Sequence, residues 1–411
     1  MPNHFQFFLG LDWGSEQHRA CLLNRVGDLV AERWIEHSGN GLAELLAWLA
    51  DHTAVPPAEV AVAIEVPRGA LVETLVEQQF AVFSLNPKQL DRFRDRYTPA
   101  GAKDDRRDAF VLADSLRTDL PCFHAVRLDD PVVIRLRELS RLEDDLRQEQ
   151  NRLSNQLREQ WHRFFPQLLA LAPAADEPWV WELFQSAPSP QKAARLSARK
   201  LAGLLQKHRI RRLDALQVHA VLSCKPLTLA PGAAEAAAEH ALLLLPRMHL
   251  LHRQHREVAQ RVQTLLDQLV GPAPSPEERL EHRDAAVLLS LPGVGRQVAA
   301  TMLSEASQAI AERDYHALRC YAGAAPITRQ SGKKRVVVMR RACNERLQNA
   351  LYHWARVSVA CDPRSKLTYA HMRSQGHSHG RALRGMADRW LTVLIAMLRH
   401  HTLYDAKRRA I

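Results

Sequence analysis

The chain has 411 residues and 46.5 kDa, with 46% hydrophobic and 25% charged residues, a globular ratio that excludes disorder as its main state. Lys and Arg number 56 against 45 Asp and Glu, a formal charge of +11 and a pI near 9.6, which favours a polyanionic partner such as nucleic acid. The longest apolar run, Trp390 to Leu398, falls far short of the ~18 to 20 residues that span a bilayer; Met1 to Gly10 lacks a secretory pattern, and six scattered cysteines form no C-x-x-C pair, so a cytoplasmic location with reduced thiols and no membrane contact is expected.

The apolar run Phe5 to Asp12 ends on a carboxylate before the Trp13-Gly14-Ser15 turn, as a buried strand does. Strands at Ala20 to Leu23 and Leu29 to Ile35 flank Arg25-Val26-Gly27-Asp28, a hairpin signal. Helix spacing over Leu42 to Asp51 precedes a strand at Val60 to Glu65, again closed by a carboxylate. Helix at Ala70 to Gln79, strand at Val82 to Leu85, and helices at Lys88 to Arg96 and Ala109 to Leu116 complete an α/β domain with a mixed sheet.

After Pro121, Ile134, Leu136, Leu139, Leu142, Leu146, Leu153 and Leu157 recur mostly every three or four residues between charges, with one step of two and one of seven, predicting one long amphipathic helix over Val132 to Trp161. A helix that long needs a mate, and Glu235 to Val270, with a kink expected at Pro246, supplies an antiparallel one. Shorter helices, such as Ala198 to Lys207 and Leu213 to Leu222, lie between. The Gly271 to Pro276 linker cannot be regular helix and opens a helical third region with a basic, glycine-containing loop around Ser331. Residues 1–120 hold 12 Lys and Arg against 18 Asp and Glu, a balance of −6 that leaves +17 for the rest. That split suits metal chemistry in the first region and phosphate contact in the others.

Four carboxylates stand out. Asp12 and Glu65 each close a strand, and Asp105 and Asp108 share one helix face at i and i+3. Converging carboxylates repel unless a hard cation neutralises them, so Mg²⁺ or Mn²⁺ and two-metal phosphoryl transfer form one reading. A turn cap at Asp12, an ion pair of Glu65 with Arg68 and an acidic helix start form the other. Between Arg329 and Arg346 lie seven Lys or Arg and one acid; Arg329, Lys333, Lys334, Arg335, Arg340 and Arg341 would draw a phosphate backbone. Ser331 within that field is either a nucleophile on phosphorus or an ordinary solvated turn serine. Pro292-Gly293-Val294-Gly295 fits a helix-hairpin-helix turn, with Gly293 and Gly295 exposing backbone N–H groups to phosphate, and equally a tight interhelical turn. Cys361, His371, His377 and His379 match no common zinc spacing.

Gly10-Leu11-Asp12, Glu65, Asn86-Pro87 and Lys103-Asp104-Asp105-Arg106-Arg107-Asp108-Ala109 resemble the DEDD domain of insertion-sequence transposases related to the Piv DNA invertases. Leu291 to Gly295, Tyr321-Ala322-Gly323-Ala324-Ala325-Pro326 and Ser331-Gly332-Lys333 resemble that family's second domain. The resemblance implies a RuvC-like ribonuclease H fold over 1–120, a helical coiled coil with an irregular insertion over 121–270 and a helical transposase domain over 277–411. It carries Mg²⁺ (or Mn²⁺) ligation onto Asp12, Glu65, Asp105 and Asp108 and a nucleophilic role onto Ser331.

By the same resemblance the protein is a DNA transposase or site-specific recombinase guided by a structured bridge RNA. It would act as a dimer or tetramer whose active sites combine domains of different protomers. The alternative is a metal-dependent nuclease of the Holliday-junction-resolving kind, without a covalent intermediate. Two positions depart from the family pattern: Asp104 stands where Thr is common, and Cys343-Asn344 where Gly-Asn is usual.

Overall fold

A computed structural model describes residues 4–97, 104–271, 282–332 and 334–408. They divide into two compact units, Met1–Asp129 and Asp130–Ile411.

The first unit is a six-stranded mixed sheet in the order β3-β2-β1-β4-β5-β6. Its strands are β1 (Phe7–Asp12), β2 (Gln17–Asn24), β3 (Leu29–Glu36), β4 (Val60–Ile64), β5 (Ala81–Ser84) and β6 (His124–Ala125), and its helices are α1 (Gly39–Thr53), α2 (Ala70–Glu77), α3 (Pro87–Arg94) and α4 (Asp105–Thr118). β1 pairs antiparallel with β2 and parallel with β4. The hairpin between β2 and β3 closes as its residues predict: Gly27 takes φ +101°, and Asn24 Oδ1 accepts from the N–H groups of Val26, Gly27 and Asp28 at 2.9 to 3.0 Å.

Strand alternation sorts the two cores. Leu9, Leu11, Leu22, Val60, Val62 and Ile64 meet Leu42, Leu45 and Leu49 of α1 and Leu71, Val72 and Leu75 of α2. Phe8, Ala61 and Ala63 on the other face meet Leu90 and Phe93 of α3 and Val111, Leu112 and Leu116 of α4. This mixed α/β architecture, helices on both faces, is consistent with a ribonuclease H-like domain.

The second unit is built on α5 (Pro131–Phe164) and α11 (Ala233–Val270), with Pro246 inside the latter. They run antiparallel, since Glu149 faces Arg247 (3.7 Å) and Glu143 faces His255 (3.8 Å). Buried positions of α5 recur at heptad-like intervals: Leu136, Glu143, Leu157 and Phe164 on one series, Leu146, Leu153 and Gln160 on the other. Between them fold α6 (Pro166–Leu171), α7 (Pro178–Ser186), α8 (Pro190–Ala193), α9 (Ala198–Lys207) and α10 (Ala215–Leu222), around an aromatic centre of Trp161, Phe164, Phe165, Trp179, Trp181 and Phe184.

Beyond residues 272–281, where most of the proline linker lies outside the described residues, come α12 (Asp284–Leu289), α13 (Arg296–Glu305), α14 (Ser307–Ala311), α15 (Tyr315–Tyr321), α16 (Glu345–Cys361), α17 (Pro363–Ser374) and α18 (His379–Arg399). One apolar cluster runs from Leu136 of α5 to Leu398 of α18. The third region is not wholly helical. Where a loop was expected around Ser331, β7 (Ile327–Ser331) and β8 (Lys334–Val338) form an antiparallel ribbon. The reason is local: Val336, Val337 and Val338 are β-branched, and Gly332 takes φ +55° at the turn.

Candidate functional site

Two of the carboxylates follow the last paired residues of neighbouring parallel strands. In the parallel register Gly10 lies beside Ala63 and Leu11 beside Ile64, so Asp12 and Glu65 are the next neighbours at the strand ends, both half-buried. They belong to the face that α4 covers. A Cβ on Gly10 would stand 1.9 Å from the Ala109 carbonyl oxygen, so the helix rests directly on β1 at the turn after Asp105 and Asp108. Asp104 caps α4, its side chain accepting from the Arg106 N–H at 3.3 Å. The residue that departs from the family's Thr thus does a Thr's work as a helix cap. Likewise, Asn86 caps α3 by accepting from the Lys88 N–H at 3.0 Å, with Pro87 at the first helical position.

Three interactions that sequence reading missed surround these residues. Arg94 grips buried Asp108 bidentately, Nε to Oδ1 at 2.6 Å and Nη2 to Oδ2 at 3.0 Å, and is itself held by Asp91 at 2.8 Å. Burial opposes the Arg94 charge, but Asp108 and Asp91 outweigh it and raise the guanidinium pKa. Glu32 of β3 receives Arg19 (2.7 Å) and Arg106 (2.6 Å); the hydrogen bonds from Arg106 and then Arg19 hold its carboxyl below the ordinary range. Burial pushes the thiol of Cys21, on the same face, up to about 12, which leaves it inert.

The third is a buried histidine. His18 Nδ1 accepts from the Gly14 N–H at 3.3 Å, so the proton on Nε2 can be donated to His37 Nδ1 at 2.9 Å, and the pair fixes the turn that follows Asp12. Burial, then the neighbouring His37, lowers the pKa of His18. A lowered folded-state pKa gives stability that is full above the unfolded value of ~6.5 and declines as pH falls from there toward the folded value. Melting at pH 7.5 and 5.5 is expected to show a smaller acid loss for His18→Gln than for the native chain; equal losses would remove His18 as the cause.

Hard carboxylate oxygens suit Mg²⁺ or Mn²⁺ in kind. Among the described residues, however, no three His, Cys, Asp or Glu side chains form a metal-holding group. Asp108 is taken up by Arg94, and Asp105 is exposed. Asp12 and Glu65 follow paired strand residues and Asp105 and Asp108 open the helix that rests on β1, but among the described residues they close no metal shell.

Ser331 is the exposed last residue of β7, opposite Lys334, with Arg329 opposite Val336 and Gln330 opposite Arg335. Arg329 and Lys334 therefore share the serine's face of the ribbon, and Arg335 lies on the other. The Ser331 hydroxyl has no hydrogen-bond partner among the described residues. Arg341 is exposed, Arg340 is half-buried, and Lys333 lies outside the described residues. Asn344, six residues beyond the ribbon, caps α16 (Leu347 N–H to Oδ1, 3.0 Å) and donates to Glu305 at 2.8 Å. Arg141 of α5 binds Glu305 bidentately at 2.6 and 3.0 Å. Burial would raise the Glu305 pKa, yet Arg141 and Asn344 hold it below the ordinary range. Gly293, at φ +82°, packs on α16: a Cβ there would lie 2.7 Å from the Ser358 nitrogen, and Trp354 donates its indole N–H to the Pro292 carbonyl at 3.0 Å. Gly295 is exposed at the start of α13.

A carboxylate-bearing mixed sheet is followed in the chain by a basic helical unit, and comparison with known proteins gives the class. Residues 9–166 match a DEDD transposase profile, and residues 285–370 match the profile described as "Transposase IS116/IS110/IS902 family". The chain is 30% identical over 409 residues, 98% of its length and 96% of the relative's, to the "Mini-circle putative transposase for IS117" of Streptomyces coelicolor. It is 28% identical over 408 residues to the "Insertion element IS110 uncharacterized 43.6 kDa protein" of the same organism, again covering 98% and 96%. A 216-residue stretch, 52% of this chain and 60% of the relative, is 51% identical to "Putative transposase y4uE" of Sinorhizobium fredii. The chain is a transposase. It belongs to the IS110/IS116/IS902 family of insertion-sequence transposases, and no helix among its described residues is long and apolar enough to cross a membrane.

Proposed function

We propose that this transposase cuts and exchanges DNA strands with two devices: the carboxylates Asp12, Glu65, Asp105 and Asp108 of a RuvC-like first unit, and Ser331 as nucleophile. The observation that supports the reading is the β1–β4 register, which pairs Leu11 with Ile64, the residues just before Asp12 and Glu65, on the sheet face covered by the helix that begins with Asp105. Mg²⁺ or Mn²⁺ bound there would supply Lewis-acid stabilisation of charge on the phosphate oxygens. The strand ends give Asp12 and Glu65 fixed oxygens, and Asp108 must release Arg94 before it can serve as a ligand. Ser331 Oγ attacks phosphorus and gives up its proton to solvent; its bond to phosphorus forms as the bond to the departing deoxyribose oxygen breaks, and that oxygen takes up a proton from solvent, so the net change is transfer of the phosphoryl group from one oxygen to the other. Arg329 and Lys334 on the same ribbon face neutralise the phosphate.

A structured guide RNA and a homo-oligomer belong to the same reading. The +17 outside the first region supports a polyanionic partner, and exposed Leu243 and Leu250, one heptad apart on α11, support self-association. A hydrolytic nuclease is the second reading, favoured by the exposed position of Ser331 at a strand end, where water competes for the phosphorus. Nicked suicide duplexes carrying the ends of the element that encodes this chain separate the two. A protein–DNA adduct mapping to Ser331, absent with cleavage in Ser331→Ala, is expected. Cleavage preserved in Ser331→Ala without any adduct would establish the nuclease.

A further inference from the structure

The small helices between the two long ones carry a charge that nothing so far uses. From Pro190 to Lys225 there are nine Lys or Arg and a single acid, Asp214. All nine are exposed, while Ala193, Leu201, Leu205, Val218 and Leu222 turn the other side of α8 to α10 into the apolar core. Two of the cations are matched: Lys207 by Glu182 at 2.7 Å and Arg212 by Glu177 at 2.6 Å. Lys192, Arg195, Arg199, Lys200, Arg209, Arg211 and Lys225 have no anionic partner among the described residues.

Local helix stability does not explain them. Arg199 and Lys200 occupy the first turn of α9, which holds no acid and where the helix dipole is already positive. Cations there raise the folding cost, and an anion arriving from outside lowers it. Nor does the surface suit unpaired bases: no Phe, Tyr or Trp occurs between Pro190 and Lys225 to stack on them, and the two histidines, His208 and His219, are half-buried, His208 against Glu182 at 2.8 Å. Cations without exposed aromatic rings fit a double helix held by its phosphates, independent of base sequence.

We propose that α8 to α10 form a docking surface for double-helical DNA, built from residues other than the carboxylates and the Ser331 ribbon. The proposal depends on neither the metal nor the serine reading, since it concerns equilibrium binding in EDTA. Anisotropy of a labelled 30-base-pair duplex would be followed from 50 to 200 mM salt for the native chain, for K192Q/R195Q/R199Q/K200Q and for R209Q/R211Q. Each phosphate that a variant no longer neutralises lowers the slope of log K against log salt by ~0.9. The quadruple variant is expected to lose ~3 from the slope, and the double variant ~1 to 2, with melting temperatures no lower than native. Duplexes of unrelated sequence should weaken equally. Unchanged slopes in correctly folded variants would overturn the proposal. So would loss of binding to a structured RNA of similar length while duplex DNA binding stays native, which would assign the surface to RNA.

Discussion

Strand cleavage by an Asp12→Ala chain is expected to fall ~10³-fold or more in single-turnover assays, equivalent to ~4 kcal/mol of lost transition-state stabilisation, while DNA binding in EDTA stays within a few-fold of native. Asp12 sits at a strand end beside Glu65, opposite Arg19 across the β1–β2 pair, and is only half-buried. Its removal therefore leaves the sheet core intact and deletes a charge that the proposed chemistry needs. Asp12→Asn keeps the shape and removes only the charge, so it should be equally inactive. Cleavage within ten-fold of native in either variant would remove the carboxylates from the mechanism.

The largest effect on stability is expected at Gly10. A methyl group there would lie 1.9 Å from the carbonyl oxygen of Ala109 and 2.7 Å from the nitrogen of Ala113. Both are backbone atoms of a regular helix, so no rotamer change can relieve the overlap, and α4 would have to lift off β1 by more than ~1 Å. Gly10→Ala is expected to cost the first unit ~3 to 5 kcal/mol, measured by urea unfolding, and to lower cleavage as well because α4 carries Asp105 and Asp108. A loss below ~1 kcal/mol would mean that the helix can shift freely over the strand.

Much of the first unit was legible because its strands are apolar runs stopped by carboxylates or turn residues, yet β2 and α1 each begin three residues before their apolar spacing does, where polar or glycine residues open them, and the two-residue β6 left no pattern to read. The start of α4 was harder: apolar spacing begins only at Ala109, whereas the helix begins at Asp105, fixed by its Asp104 cap. The β7–β8 ribbon was hidden by charge, since Lys334 and Arg335 interrupt what would otherwise read as a valine strand. The Arg94–Asp108 pair, 14 residues apart, could not be seen at all, because no local pattern says which of several arginines will reach a given aspartate. The role of Gly10 was equally invisible, since a glycine before Asp12 carries no mark of what lies against it.

The long helix α5 looked from its sequence like an apolar stripe between solvated charges, yet part of its charge is interior. Glu143 is buried against Arg296 of α13, Arg141 binds Glu305 of the same helix, and Arg346 of α16 reaches Asp144 at 3.1 Å and Asp145 at 2.8 Å. A purely apolar seam of repeating leucines tolerates sliding by a turn or a heptad, because one leucine replaces another. This seam does not, since any slide would strand the Glu143 and Glu305 charges away from their arginines inside protein. The ion pairs act as a key that admits one axial setting of α5. Asn344, six residues beyond the ribbon that bears Ser331, donates to Glu305 of the same key, so the start of α16 is indexed to a fixed point along a 34-residue rod.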